Sequence, residues 1–194
     1  MKTTHFDVGA NAVVQLGENL YKNTYGVLIE YITNSYDADA SFVKINIDRI
    51  KGTVTIEDDG VGMTLDELGD NFLKVGNNRR KKYITKTTDK GRLVTGRKGF
   101  GKLACFGLFK SFKVDTYKNN QKSTLIVTSK LNEDDEFEYE ALIDEESTPI
   151  QHSNGTIIYL SENTSEIVDN ESLSESIAKR LNIMYDGTPT DPTG

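Results

Sequence analysis

The chain has 194 residues, of which 36% are hydrophobic and 27% charged, a composition ordinary for a single globular domain. It contains no window of about 20 apolar residues and no apolar N-terminal run, so we expect neither a membrane partner nor a signal peptide. The single cysteine, Cys105, excludes an internal disulfide, and we expect a reducing, cytoplasmic location.

The net charge of −7 is unevenly distributed along the sequence. Between Lys74 and Lys102 lie eleven Lys or Arg residues and a single acid, Asp89, whereas the other 165 residues hold twelve bases and twenty-nine acids. A basic island in an acidic protein predicts a local anionic partner, either nucleotide phosphates or nucleic acid. The alternative is a solvated loop that its charge keeps soluble.

In chain order, the hydrophobic periodicity predicts a helix over residues 17–36 and then two antiparallel strands, 42–50 and 53–59. Thr64 and Glu67 form a capping box, which predicts that the next helix begins there. The polar residues that follow have no regular period, so we expect a long functional loop over 74–98. The remaining pattern predicts a helix, four strands, a final helix and a linker, at 100–109, 111–117, 123–129, 137–143, 156–161, 171–185 and 186–194.

The first helix carries polar residues on the face beside its apolar stripe. Glu30, Asn34 and Asp37 are spaced i, i+4 and i+7, which places them on one side of the helix. A carboxylate and a carboxamide one turn apart can serve as a general base for water and as an oxygen ligand for Mg²⁺. The alternative is an ordinary solvated helix face.

The second strand ends in "IEDDGVGM", residues 56–63. Asp58 has the same parity as the apolar positions of its strand, so its carboxylate is expected on the buried face, where it requires hydrogen-bond donors. An adenine amino group is one such donor. Gly60 and Gly62 let the backbone approach a flat ligand, and Met63 offers a polarizable surface for a ring. The alternative is a plain Asp-Gly turn.

A glycine cluster follows the basic loop. Gly96, Gly99 and Gly101 lead into the predicted helix 100–109, which directs free backbone amides and a positive helix end at an anion. The segment Gly96–Lys102 also fits most of the P-loop pattern, G-x-x-x-x-G-K. That interpretation fails, because Leu103 replaces the hydroxyl ligand, no buried strand precedes the glycines and no later strand supplies a suitable acid.

A fourth pattern is the Gly155-Thr156 pair, which begins the last predicted strand. Thr156 is placed to hydrogen-bond the Asp58 carboxylate and a water beside a base. On its own this pair is equally typical of a turn glycine before a strand.

Together, and in this order, the four patterns resemble those of the GHKL ATPases, the superfamily of gyrase B subunits, MutL-type mismatch-repair proteins, heat-shock chaperones and histidine kinases. Glu30–Ala38 matches the N-box, Asp58–Gly62 the adenine motif, Gly96–Gly101 the lid motif and Gly155-Thr156 the final "G-T". The resemblance spans roughly residues 10 to 165. Among these families the chain is most similar to the chaperone-like and MutL/microrchidia-like branches.

The resemblance implies an α+β fold, a two-layer sandwich in which helices cover one face of a mixed, mostly antiparallel sheet. Residues 1–185 would form the ATP-binding domain, with 74–98 as the ATP lid. Residues 186–194 would be a linker to a further C-terminal region.

It also implies roles for individual residues. Glu30 would activate the attacking water, Asn34 would ligate Mg²⁺, and Asp58 would accept the adenine amino group, supported by Thr156 through water. The other nucleotide-binding positions that the resemblance implies are Asp37, Ala38, Gly60, Gly62, Met63, Gly76, Gly96, Arg97, Lys98, Gly99, Phe100, Gly101 and Lys102.

The function implied is Mg²⁺-dependent ATP binding and slow hydrolysis, coupled to lid closure and to dimerisation of the full-length protein. An ATP-gated binding or dimerisation module with negligible turnover stays open as the alternative. Histidine-kinase phosphotransfer is disfavoured by Glu30, and neither His5 nor His152 lies on a convincing dimerisation helix. Because the basic loop offers only Tyr83 for stacking, we expect nucleic-acid binding only through other domains.

Overall fold

A seven-stranded sheet organises the part of the chain that the computed structural model describes, which is residues 2–5, 24–72, 87–95, 109–131, 137–145 and 153–163. Two helices accompany the sheet in these ranges. The elements are β1 (Lys2–His5), α1 (Thr24–Asp37), β2 (Val43–Asp48), β3 (Thr53–Asp58), α2 (Leu65–Phe72), β4 (Phe109–Lys118), β5 (Gln121–Leu131), β6 (Phe137–Glu145) and β7 (Gly155–Asn163). Neither helix has the length and apolar character that crossing a membrane requires.

The strand order is β1-β6-β5-β4-β7-β3-β2, and each of the six described pairings is antiparallel. Two pairs of strands are joined by short described turns, β2 to β3 over residues 49–52 and β4 to β5 over residues 119–120. Between β4 and β5 the turn is Asn119-Asn120, and both residues have positive φ, as a two-residue hairpin requires. β7 lies between β3 and β4, so the chain returns to the middle of the sheet with its last described strand. The α+β fold expected from the sequence is confirmed.

One face of the sheet carries the hydrophobic core. Side chains alternate across a strand, and the register aligns Ile56 with Ile158 and Val114 with Leu125 on the same face. Both helices contribute apolar side chains to that face, which gives the two-layer arrangement. The core residues are Val27, Leu28, Tyr31, Val54, Ile56, Leu68, Phe109, Phe112, Val114, Leu125, Val127, Ala141, Ile158 and Leu160. Full burial of one large apolar side chain stabilises the fold by about 1.5–3 kcal/mol.

At one end of this face the apolar rows give way to a polar row that crosses four strands. Asp58 of β3 is aligned with Thr156 of β7, Thr156 with Thr116 of β4, and Thr116 with Ser123 of β5. The two threonines and the serine are buried. Burial of polar groups is costly unless they are hydrogen-bonded, so this row is where the sheet can offer specific partners to a polar ligand.

Most of the predicted elements are found. α1 ends at Asp37, one residue beyond its predicted end, and its predicted first part, 17–23, lies outside the described residues. Two elements differ. Phe109, predicted as the last residue of a helix, instead begins β4, because its side chain belongs to the core face of the sheet. The predicted loop 74–98 contains an ordered turn over residues 87–95. The predicted helix 171–185 and linker 186–194 lie outside the described residues, and strand β1 was not predicted.

The capping box is present at the start of α2. The backbone amide of Thr64 donates to Glu67 Oε2 at 2.9 Å, and the amide of Glu67 donates to Thr64 Oγ1 at 3.3 Å. Lys118 of β4 also contacts the Glu67 carboxylate, at 2.8 Å from Oε2. The cap therefore both begins the helix and ties it to the sheet beside the polar row.

Candidate functional site

The end of α1 and the end of β3 meet at the polar row. Glu30 and Asn34 are half-buried on α1, one helical turn apart, as the sequence predicts. Their exposure leaves a carboxylate and a carboxamide accessible to a ligand at the rim of the core. Among the described residues, no group of three or more His, Cys, Asp or Glu side chains is placed to hold a metal ion. The carboxamide of Asn34 offers an oxygen of the kind that Mg²⁺ binds.

Asp58 lies on the core face of β3, as its parity predicts, and α1 contacts it directly. Ser35 Oγ lies 2.7 Å from Asp58 Oδ2, and the backbone amide of Gly60 donates to Oδ1 at 2.9 Å. Burial raises the pKa of the Asp58 carboxyl above its usual value of 3.8, against the opposing hydrogen bonds from Ser35 and from the amides of Gly60 and Thr156. A desolvated carboxylate with spare lone pairs is a suitable acceptor for an amino group of a ligand.

Thr116 holds the loop after β3 in place, and sequence reasoning did not identify it. Its hydroxyl accepts a hydrogen bond from the backbone amide of Met63 at 2.9 Å and donates to the carbonyl of Gly155 at 3.2 Å. It also lies 3.3 Å from the hydroxyl of Thr156. One fully buried threonine of β4 is thus joined to β7 and to the loop after β3. The sequence did contain a signal for this role. Thr116 has the same parity as Phe112 and Val114, which places a polar residue on the core face of β4.

The glycines after Asp58 have a structural reason that the sequence interpretation did not include. A Cβ at Gly62, where φ is +65°, would lie 2.0 Å from the carbonyl oxygen of Tyr117. A Cβ at Gly60 would lie 2.8 Å from the carbonyl oxygen of Ala38. The loop therefore packs directly on β4 and on the end of α1, and larger residues would displace the polar row.

Asp37 and Ala38 are also at the site, at the C-terminal end of α1. The carbonyl of Ala38 accepts a hydrogen bond from the amide of Val61 at 2.9 Å, which joins α1 to the loop after β3. Oδ1 of Asp37 accepts two hydrogen bonds from Thr95, from the backbone amide at 2.9 Å and from the hydroxyl at 2.8 Å. Both residues thus make contacts within the protein at the place where the resemblance puts the nucleotide.

Comparison with known families identifies this arrangement. The family described as "Histidine kinase-, DNA gyrase B-, and HSP90-like ATPase" matches residues 21–157, which include α1, the loop after β3 and the start of β7. The chain belongs to this family. Membership confirms the resemblance drawn from the four motifs and supports ATP as the ligand of the site.

Individual relatives of this ATPase family differ widely in their names. The chain is 34% identical over 117 residues, 60% of its length, to a protein of Herpetosiphon aurantiacus named as the type II restriction enzyme HgiDII. It is 30% identical over 123 residues, 52% of its length, to the mitochondrial TNF receptor-associated protein 1 homolog of Dictyostelium discoideum. It is 25% identical over 145 residues, 71% of its length, to the endoplasmin homolog of the same organism.

The chain covers only 18%, 17% and 17% of these three relatives, respectively. What it shares with them is the ATPase-family region rather than the whole protein. The names of the relatives therefore do not identify the pathway of this chain.

Several residues that the resemblance assigns to the nucleotide lie outside the described residues, and their roles stay predictions. They are Gly76, Gly96, Arg97, Lys98, Gly99, Phe100, Gly101 and Lys102. Within the described ranges, the structure joins α1, which carries Glu30 and Asn34, to Asp58 through Ser35, and it aligns Asp58 with Thr156. Sequence reasoning missed Ser35, which lies inside the N-box and links that motif to the adenine motif through the 2.7 Å contact.

Proposed function

We propose that this domain binds ATP with Mg²⁺ and hydrolyses it, with the adenine amino group donating to Asp58. The observation that carries the proposal is the Asp58 carboxylate itself. It is half-buried at the end of an apolar sheet face, where desolvation raises its pKa, beside a helix that carries Glu30 and Asn34. A carboxylate in such a place is costly, and a ligand that donates a hydrogen bond to it offsets part of that cost.

Each remaining residue has a role that its chemistry allows. Asn34 would hold Mg²⁺ through its carboxamide oxygen, and the metal would neutralise charge on the phosphates when it is bound. Glu30, one turn away, would accept a proton from the attacking water as a general base. Thr156 would support Asp58 from β7, which is the register partner of its strand.

Lid closure and dimerisation belong to the same proposal. The relatives are much longer than this chain, so we propose that a further region completes the active unit and that the full-length protein dimerises when ATP is bound. The 194-residue chain should then bind ATP as a monomer and hydrolyse it below about 1 s⁻¹, at the lower end of enzyme rates. A cytoplasmic location stays a prediction.

Calorimetric titration of the chain with ATP, with and without Mg²⁺, tests binding, and phosphate release measured on the same preparation tests turnover. We expect a single nucleotide site and Mg²⁺-dependent hydrolysis that is lost in Glu30→Ala. Binding without measurable turnover, in the parent and in the variant alike, would support the ATP-gated binding module instead. Absence of binding would refute both. Light scattering on the same samples measures the oligomeric state.

A further inference from the structure

Residues 87–95, here called the anchor segment, form a compact turn in the second half of the predicted lid. Thr87 and Leu93 pair in an isolated antiparallel bridge. The amide of Thr88 donates to the carbonyl of Arg92 at 2.8 Å, and the amide of Gly91 donates to the carbonyl of Thr88 at 2.9 Å. Gly91 has a φ of +80°, which suits glycine at a tight turn. The anchor segment is therefore built by its own backbone hydrogen bonds.

The anchor segment is attached to the C-terminal end of α1 through Asp39. This residue is 6% exposed and has a φ of +59°, the left-handed conformation in which helices commonly end. Its Oδ1 accepts a hydrogen bond from the hydroxyl of Thr88 at 2.5 Å, and its Oδ2 accepts one from the amide of Lys90 at 3.1 Å. These bonds and the charges of Lys90 and Arg92 outweigh the effect of burial and lower the pKa of the Asp39 carboxyl.

Two cations of the anchor segment complete the attachment from the other side. Lys90 Nζ donates to the carbonyl of Asp39 at 2.7 Å, and Arg92 donates to the carbonyls of Ala40 at 2.8 Å and Tyr36 at 3.3 Å. The guanidinium of Arg92 also lies 4.9 Å from the centre of the Tyr36 ring. The last carbonyls of a helix lack partners within it, and positive charge is favourable at that end. Lys90 and Arg92 supply both hydrogen-bond donors and positive charge at that end of α1.

The anchor segment ends at a residue of the N-box. Thr95 donates both its backbone amide and its hydroxyl to Asp37 Oδ1, and Gly96, the first residue of the glycine-rich motif, follows directly. The resemblance placed Asp37 among the nucleotide contacts. In the structure, one of its oxygens instead holds the chain immediately before the motif that is expected to bind phosphates.

We propose that Asp37 and Asp39 are positioning residues, which fix the chain at Thr95, directly before the glycine-rich motif 96–101 that is predicted to bind the phosphates. This inference rests on the proposed function. A glycine-rich segment loses much conformational freedom when it binds a ligand, so fixing one of its ends before binding reduces that loss. The anchor segment should therefore strengthen binding of the phosphates and leave recognition of the adenine unchanged.

The test compares ATP with adenosine, which lacks phosphates and depends on Asp58. Asp39→Gly removes the carboxylate and accepts the positive φ, and Thr95→Val removes one hydrogen bond to Asp37 at almost constant shape. The matched control is Asp89→Gly, the same change at an exposed position of the same turn. Loss of a hydrogen bond to a charged group corresponds to about tenfold or more in affinity. We expect both variants to bind ATP roughly tenfold more weakly and adenosine less than about twofold more weakly. The control should bind both ligands with the parental affinity.

A second measurement reports on the anchor segment without any nucleotide. Trypsin cleaves after Lys90 and Arg92, whose side chains are held by the carbonyls of Asp39 and Ala40, directly after α1, in the intact protein. Cleavage there should accelerate in Asp39→Gly and stay at the parental rate in Asp89→Gly, because only the first substitution releases the turn.

Three results would overturn the inference. The first is faster cleavage in Asp39→Gly with ATP affinity unchanged, since the anchor segment would then be released without consequence for the phosphates. The second is an equal loss of ATP and adenosine in both variants, which would indicate a general structural role. The third is a parent protein that binds neither ligand, which would refute the proposed function itself and with it the basis of this inference.

Discussion

The most informative single substitution is Asp58→Asn, because the structure predicts opposite effects on nucleotide binding and on the stability of the free protein. In the parent, Oδ1 accepts from the Gly60 amide and Oδ2 lies 2.7 Å from Ser35 Oγ. An asparagine oxygen can keep the bond from Gly60, and its amide can donate to Ser35. The Ser35 hydroxyl, 3.0 Å from the carbonyl of Tyr31, can then donate its own proton to that carbonyl. The hydrogen bonds that Asp58 makes with Ser35 and Gly60 therefore have counterparts in the variant.

The magnitude for binding follows from the kind of hydrogen bond that is lost. A bond to a charged acceptor contributes about 1.5–3 kcal/mol, so ATP and adenosine should each bind about 10- to 100-fold more weakly to Asp58→Asn. The free energy of unfolding should not fall. The raised pKa of Asp58 means that its charged form is disfavoured in the folded state, and asparagine removes that cost.

The same linkage predicts how the comparison changes with pH. Because the folded-state pKa of Asp58 lies above its usual value of 3.8, the parent gains stability as the pH falls through that raised pKa. Any stability advantage of Asp58→Asn should therefore be present at neutral pH and shrink in acid. Thermal unfolding without nucleotide, followed across this pH range, measures it.

The matched control is Asp59→Asn, at the neighbouring acid. Oδ1 of Asp59 accepts the amides of both Ser41, at 2.6 Å, and Phe42, at 3.0 Å, so one asparagine oxygen can retain both bonds. This variant should bind nucleotide like the parent. Unchanged ATP affinity in Asp58→Asn would refute the adenine assignment. A marked loss of stability in that variant at neutral pH would refute the reasoning that partial burial disfavours the charge of Asp58.

Three further substitutions test other parts of the site. Glu30→Ala should bind ATP normally and hydrolyse it about 10²–10⁴-fold more slowly, as turnover assays and calorimetry would measure, because a general base acts on water rather than on the bound nucleotide. Gly62→Ala should destabilise the fold far more than Gly91→Ala in thermal unfolding. Both positions have positive φ, which costs alanine about 1–2 kcal/mol, but only at Gly62 would a Cβ meet a carbonyl oxygen of β4. Thr116→Val should lower the free energy of unfolding by about 1–3 kcal/mol in urea titrations, since the Met63 amide loses its acceptor, and Thr116→Ser should restore most of it.

Each of these three has a result that contradicts it. Hydrolysis at the parental rate would make Glu30 a structural residue. Equal destabilisation at Gly62 and Gly91 would show that the close approach of the loop to β4 is not limiting. Stability of the valine variant equal to that of the parent, with the serine variant no different, would mean that another group satisfies the Met63 amide.

The sequence by itself determined those features of the fold and site that depend on residues close together in the chain. Alternation of apolar and polar residues identified six of the strands, and the same parity placed Asp58 on the buried face. Helical spacing put Glu30 and Asn34 one turn apart on α1, and the capping box marked where α2 begins. These features depend on a few neighbouring residues and on the fixed periods of strand and helix, so no knowledge of the tertiary structure was needed.

Only the tertiary structure decided which distant parts of the chain contact each other. Periodicity says which face a side chain occupies but not which strand lies next to it, so Thr116 could not be assigned to the loop at Met63, 53 positions earlier in the sequence. No local pattern links Asp39 to its partners Thr88 and Arg92, which lie in a stretch without a regular period. Hydrogen bonds of this kind form because strand order and the end of α1 bring the groups together, and a linear pattern carries no signal for that juxtaposition.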